Sequence, residues 1–252
     1  MFGHSEQFAD RHFRADRTTD FICFTDDRSL KSRRWQFRYV DSAELGPVRT
    51  SKMIKHLPHR FLGEYASSLY MDNTVKPKVP SRRFFALLDA SPAPMLCFRH
   101  PERNCIYDEA AVLLDLRYDD PDVINAQMDQ YRSHGHPIGA GLITGTVILR
   151  RHNDPSVIAT MEDWAAEVGK WSYRDQLSFN FVARRRGFQP GYLPGTPYRN
   201  KLLKWPRVKG HRLPRGFRDE DYLRLNPDVA ASGINPRKHY ITQGAAEGRA
   251  WR

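Results

Sequence analysis

The stretch "LYMDNTV", residues 69–75, carries an aspartate and an asparagine, Asp72 and Asn73, out of an apolar run that reads as a buried strand. Just upstream, "VRTSKMIKHLPHRFL" spaces Arg49, Lys52, His56 and His59 by 3, 4 and 3 residues, so one helical face carries four basic or titratable groups. That helix leads directly into the strand that delivers Asp72. Its start and Asp72 are therefore expected around one cleft, with cations for phosphate oxygens. A solvated helix face and a turn aspartate are the simpler readings of the same residues.

Three further groupings bear chemistry. In "RDQLSFN", Arg174, Asp175 and Gln176 precede an apolar helix, where an aspartate is either a cap or a site residue. In "RRHND", His152 ends a strand, fit for a metal, a phosphate or only solvent. In "FRHPERNCIYDEA", His100, Arg103, Tyr107 and Glu109 gather at a helix opening, where acids and arginine also form ordinary surface pairs. No Walker loop, GxGxxG, HExxH or GxSxG is present, so ATPase, dinucleotide oxidoreductase, zincin and serine hydrolase readings lose their usual support.

The elements that must position these groups alternate in type. "DFICFTDD" and "WQFRYV" read as strands, residues 48–62 as a helix that Pro58 kinks or splits, and "SSLYMDNTV" and "MLCFRH" as strands. "CIYDEAAVLLDL" and "VINAQMDQYRSHG" read as helices, the second closed by Gly135. "GLITGTVILRRH" is a glycine-punctuated strand. "PSVIATMEDWAAEVGKW" and "RDQLSFNFVARRRG" are helices, the latter stopped by Gly187. This order predicts an α/β fold, a mostly parallel sheet flanked by helices, with ligands beyond the carboxyl ends of strands, where Asp26, Asp27, Asp72 and Asn73 fall. Residues 191–216 read as a Pro/Gly/Arg-rich linker or strap, and 217–252 as a small helical module.

With 252 residues and 40% hydrophobic content, the chain can bury a sizeable core. No run approaches the ~20 apolar residues of a bilayer span, and the start has no signal-peptide pattern, so a cytoplasmic protein is expected. Cys23, Cys97 and Cys105 fall in no zinc-like spacing and are expected as thiols. A net charge of +11 admits nucleic acid, an anionic membrane surface or phosphorylated small molecules as partners.

Taken in order, the blocks "DFICFTDD", "RTSKMIKHLPHRFLGEYASSLYMDNTV", "FRHPERNCIYDEA", "GLITGTVILRRHNDP" and "WSYRDQLSFNFVARRRG" make residues 1–190 resemble GT-A-type glycosyltransferase-like proteins. That family includes bacterial cell-surface sugar transferases and plant hexosyltransferase-like proteins of mucilage and cell-wall polysaccharide. The resemblance implies a hexosyltransferase that moves a sugar from a nucleotide diphosphate-sugar to a glycan or glycolipid. It places Thr25, Asp26, Arg49, Lys52, Lys55, Asp72 and Asn73 at the donor, and His100, Arg103 and Glu109 at the acceptor. Asp175 and Gln176 fall at the reacting sugar, as in retaining, glycogenin-like enzymes.

In the wider class an Asp-x-Asp motif binds manganese or magnesium to clamp the diphosphate. Here Thr74 stands where the second carboxylate belongs, leaving Asp72, with His152, to hold a metal, and giving the basic helix part of the metal's work. The tail resembles a short module often appended to bacterial glycosyltransferases, which implies a bacterial context and a docking role; the cytoplasmic protein expected above is also expected as a peripheral one, at the inner face of an anionic membrane. "GHSE" resembles the loop that follows a first buried strand. A form extended upstream by about 5–10 residues is accordingly expected to be more stable. Two rivals stand: a non-catalytic nucleotide-sugar or carbohydrate-binding protein, and a basic nucleic-acid-binding protein, which the stripe beside Asp72 argues against.

Overall fold

The computed structural model describes residues 1–3, 8, 16–205, 213–232, 235–245 and 249–252. Its elements run β1 (Phe21–Thr25), β2 (Trp35–Tyr39), α1 (Gly46–His56), α2 (Pro58–Phe61), β3 (Ser68–Met71), β4 (Lys76–Pro77), α3 (Arg82–Asp89) and β5 (Met95–Arg99). They continue through α4 (Ile106–Leu116), α5 (Pro121–Ser133), β6 (Ile143–Arg150), α6 (Pro155–Lys170), α7 (Gln176–Arg186), β7 (Gly191–Tyr192) and β8 (Leu203–Lys204).

Local chemistry sets several boundaries. Pro58 splits the basic helix: Leu57 leaves the helical region at φ −111°, ψ 48°, and α2 restarts with the proline at its first turn. Asp154 caps α6 through the amides of Ser156 and Val157, with Pro155 preset for the first turn. Gly187 ends α7 at φ 64°, a left-handed conformation that costs glycine nothing.

Four strands form the central sheet in the order β3-β6-β5-β7. The α/β class with helices on the sheet faces is the expected one, but the pairing is mixed. β6 runs antiparallel to both β3 and β5, and only β7 lies parallel to β5. A hydrophobic pattern identifies a strand but carries no direction, and β6 returns against its neighbours after the α4–α5 excursion. Both sheet faces are covered, so β5 and β6 need apolar residues at successive positions. Cys97 and Ile148 pack under Trp164 and Phe179 of α6 and α7, whereas Leu96, Phe98, Val147 and Leu149 pack with Phe84 and Leu88 of α3. The helix α3 and the two-residue strands β4, β7 and β8 have no counterpart in the sequence reading. Residues 191–204 of the strap supply β7 to the central sheet and β8 to β4, and 206–212 lie outside the described residues.

β1 and β2 pair in parallel as a separate two-stranded sheet. A cavity of about 760 Å³ lies between it and β3, touched by each residue from Phe21 to Phe24 and from Ser68 to Met71. Successive side chains of a strand point to opposite faces, so a cavity that meets all of them runs along the strand edges. Among the described residues β1 pairs only with β2 and β3 only with β6, and no ladder joins the two across the cavity. The Met1 ammonium donates to the Phe24 carbonyl at one end of the cavity. Of "GHSE" only Gly3 is described; its amide donates to Asp26.

Met1–Trp205 and Pro206–Arg252 form two compact units. The second holds α8 (Asp219–Leu225), α9 (Pro227–Ser232) and α10 (Pro236–His239) around Phe217, Tyr222, Val229 and Tyr240. None of the described helices is long and apolar enough to cross a membrane.

Candidate functional site

Because β6 runs against its neighbours, its amino end meets the carboxyl ends of β3 and β5 at one edge of the sheet. The amide of Asp72 donates to the Thr146 carbonyl at 2.9 Å, and that of His100 to Leu142 at 2.8 Å. Between these points the register of β5 on β6 slips at Cys97/Phe98, a bulge that brings Gly145 to the site.

α7 begins here. Asp175 holds its N-cap position but makes no side-chain capping bond. Its Oδ2 instead accepts Lys55 Nζ at 2.6 Å and Lys52 Nζ at 3.0 Å, with His56 Nε2 at 3.2 Å. Lys52, Lys55 and His56 share a face of α1 through three- and four-residue spacing. The Lys55 side chain is 3% exposed and that of Lys52 22%, so one ammonium is sealed in and the other reaches the cleft. Gly145 makes the approach possible: a Cβ there would stand 2.8 Å from Lys55 Nζ. Trp164 braces the group from behind. Its indole Nε1 donates to the Asp175 carbonyl at 2.8 Å, and its ring packs 4.1 Å from that of His56.

The electrostatics follow from this geometry. Burial pushes the Asp175 carboxyl upward, but Lys52 and Lys55 outweigh it and hold the group well below the usual carboxylate range. Burial drives His56 down to about 4 against the opposing pull of Asp175, so at neutral pH it is an uncharged donor. Burial also lowers the Lys52 ammonium, with Asp175 working against it. Asp72 is raised by burial, opposed by Lys55, and its Oδ1 accepts the Tyr70 hydroxyl at 2.8 Å. Behind the lysines, the fully buried Arg150 guanidinium donates to the Lys55 carbonyl and makes no ion pair among the described residues. Burial brings it down to about 9, still cationic at neutral pH.

The remaining expected site residues have other partners, some at the same sheet edge and some away from it. Arg49 donates to the carbonyls of Val168 (2.7 Å), Gly169 (3.1 Å) and Trp171 (3.3 Å), closing the carboxyl end of α6 instead of facing the cleft. His59 joins Glu162 at 2.7 Å. Asp26 accepts the Ser42 hydroxyl at 2.7 Å, and Thr25 Oγ1 accepts the amide of Asp27 at 3.0 Å, both at the end of β1. Gln176 donates to the Ile143 carbonyl at 3.1 Å, pinning the start of α7 to β6. His100, Arg103 and Glu109 form their own cluster at the same sheet edge, with Arg103 Nε donating to Glu109 at 2.6 Å and NH2 standing 3.2 Å from His100 Nε2. Asn73 follows Asp72 in the turn after β3, and Thr74 Oγ1 accepts the indole of Trp205 at 3.3 Å.

The expected metal pair does not form. His152 is buried at the far end of β6, bonded to the Leu62 carbonyl at 2.8 Å. From Thr146 to Arg150 the strand alone spans roughly 13 Å at ~3.3 Å per residue, so His152 and Asp72 share no ligand. Among the described residues no three His, Cys, Asp or Glu side chains gather as a metal site. The second carboxylate of the cleft, Asp175, is already bound by two ammonium groups. These residues do not fit a divalent ion, which needs several anionic or neutral oxygens turned toward it.

An α/β domain with a buried carboxylate and opposed lysines at one sheet edge is what the fold and site define. The TOD1/MUCI70, glycosyltransferase-like domain matches residues 16–190, and the chain belongs to that family. Among solved structures, the apo form of mouse xyloside xylosyltransferase 1 superposes with a TM-score of 0.41 at 15% identity, over 68% of this chain and 70% of that one. No curated protein matches the chain.

Proposed function

We propose that the cleft between α1 and α7 transfers a sugar, a hexose, from a nucleotide diphosphate-sugar to a glycan or glycolipid acceptor. The supporting observation is Asp175, an N-cap residue that caps nothing and is held ionised beside two lysines. When the bond between an anomeric carbon and a diphosphate breaks, positive charge grows on the sugar and negative charge on the leaving group. Preorganised charges of both signs lower that barrier. Asp175 faces the sugar, Lys52 the diphosphate with the charge of Lys55 behind it, and the His100–Arg103–Glu109 cluster the acceptor. Transfer with retention is the stereochemical outcome we assign to the Asp175–Gln176 pair.

A thermal-shift screen of nucleotide sugars identifies the donor, since a ligand of the folded state raises Tm. With that donor, Asp175→Asn lowers turnover by about 100-fold or more while donor binding holds or tightens, because the interaction counts mainly in the transition state. Unchanged turnover would assign Asp175 to structure alone. A second reading, donor binding without transfer, draws on Thr74, which spends its hydroxyl on Trp205 where a second carboxylate is expected. Binding with no sugar release or transfer by the wild type would favour it.

A further inference from the structure

We propose that this cleft meets the diphosphate of its donor with Lys52, backed by the buried Lys55, and binds it without a divalent cation. The inference rests on the donor-site reading above. A divalent ion between Asp72 and Asp175 would stand against two ammonium groups, one of them locked 2.6 Å from Asp175 and 3% exposed, and therefore unable to swing away into water. The lysines already supply two positive charges, and Arg150 lies behind them without a carboxylate of its own. A diphosphate entering the cleft finds its counter-charge built into the chain.

Lys52 is the arm that moves. Its contact with Asp175 is the longer at 3.0 Å, its side chain is the more exposed, and it lines the cavity beside Asp72 and Asn73. Transfer of Lys52 from Asp175 to a phosphate oxygen leaves Asp175 paired to Lys55 and His56 and still ionised. Burial holds the Lys52 ammonium down in the free protein, and a diphosphate reverses that bias.

The test uses the full chain and isothermal titration with uridine, guanosine and adenosine diphosphates, each in excess EDTA and in excess manganese. The expected result is binding of at least one nucleotide with a Kd that agrees within about threefold between the two conditions. Lys52→Ala, in which Asp175 keeps Lys55 and His56 and whose fold is checked by Tm beside the wild type, weakens that binding by about 10- to 100-fold, the worth of one charged hydrogen bond, and manganese does not restore it. Binding seen only with manganese overturns the metal-free site and leaves the donor reading standing. A Lys52→Ala variant that binds as tightly as wild type overturns the role of the lysine. No binding in either condition overturns the donor reading and this inference with it.

Discussion

At the scale of single residues, His56 shows how much the cluster depends on exclusion of water. Its folded-state pKa of about 4 lies below the ordinary 6.5. Above pH 6.5 neither folded nor unfolded chain protonates it. As pH falls from about 6.5 toward 4, only the unfolded chain gains the proton, so stability is lost across that window. One such group contributes up to about 3 kcal/mol. His100, His136 and His152, also lowered by burial, add losses of the same sign. Asp175 acts lower still, because its depressed carboxyl is lost only below the ordinary 3.8. His56→Gln, which keeps a donor toward Asp175, should flatten the decline between pH 6.5 and 4 in urea unfolding. An unaltered slope would place the titration elsewhere. The sequence shows a stripe of bases here, but Arg49 and Lys52 are indistinguishable in it. What separates them is distant: Arg49 meets the end of α6 some 119 residues away, and Lys52 meets Asp175 at a separation of 123.

Among the elements, β6 governs the site. Its reversed direction places its amino end, not its carboxyl end, beside Asp72, and its bulge presents Gly145 to Lys55. The strand itself was legible from its β-branched pattern, and the glycine was visible as an interruption; direction and bulge belong to tertiary pairing, which no local pattern encodes. The same limit explains α3 and the two-residue strands. "RRFFALLD" follows Ser81, a serviceable N-cap signal whose hydroxyl makes no cap in the structure and turns to Asp16 and Thr19 instead, and two residues carry no period. Gly145→Ala tests the close approach. The new methyl group displaces Lys55 from Asp175 and strains a buried ion pair, so Tm should fall and turnover should drop about tenfold or more. Full activity with an unshifted Tm would show that the 2.6 Å contact is dispensable.

For the whole molecule, the β1–β2 pair and the central sheet of the first unit raise a different question. The α/β class was readable from the alternation of strand and helix patterns, whereas residues 191–204, read as linker or strap, supply β7 and β8 to the first unit. The cavity between β1 and β3 was not, because it is a property of two edges that fail to meet. Among the described residues no strand bridges the facing edges of β1 and β3, and this line acts as a seam. Local opening is expected to start there and not in β5 or β6, which are paired on both sides. Hydrogen exchange read by mass spectrometry should therefore find β1 and β3 labelled well before β5 and β6, and equal protection across all four would contradict it. Such a seam also lies next to the site, since Lys52, Asp72 and Asn73 line the same cavity. Loosening of the β1–β2 pair then changes the water content of the cleft, and with it the strength of every charge interaction around Asp175.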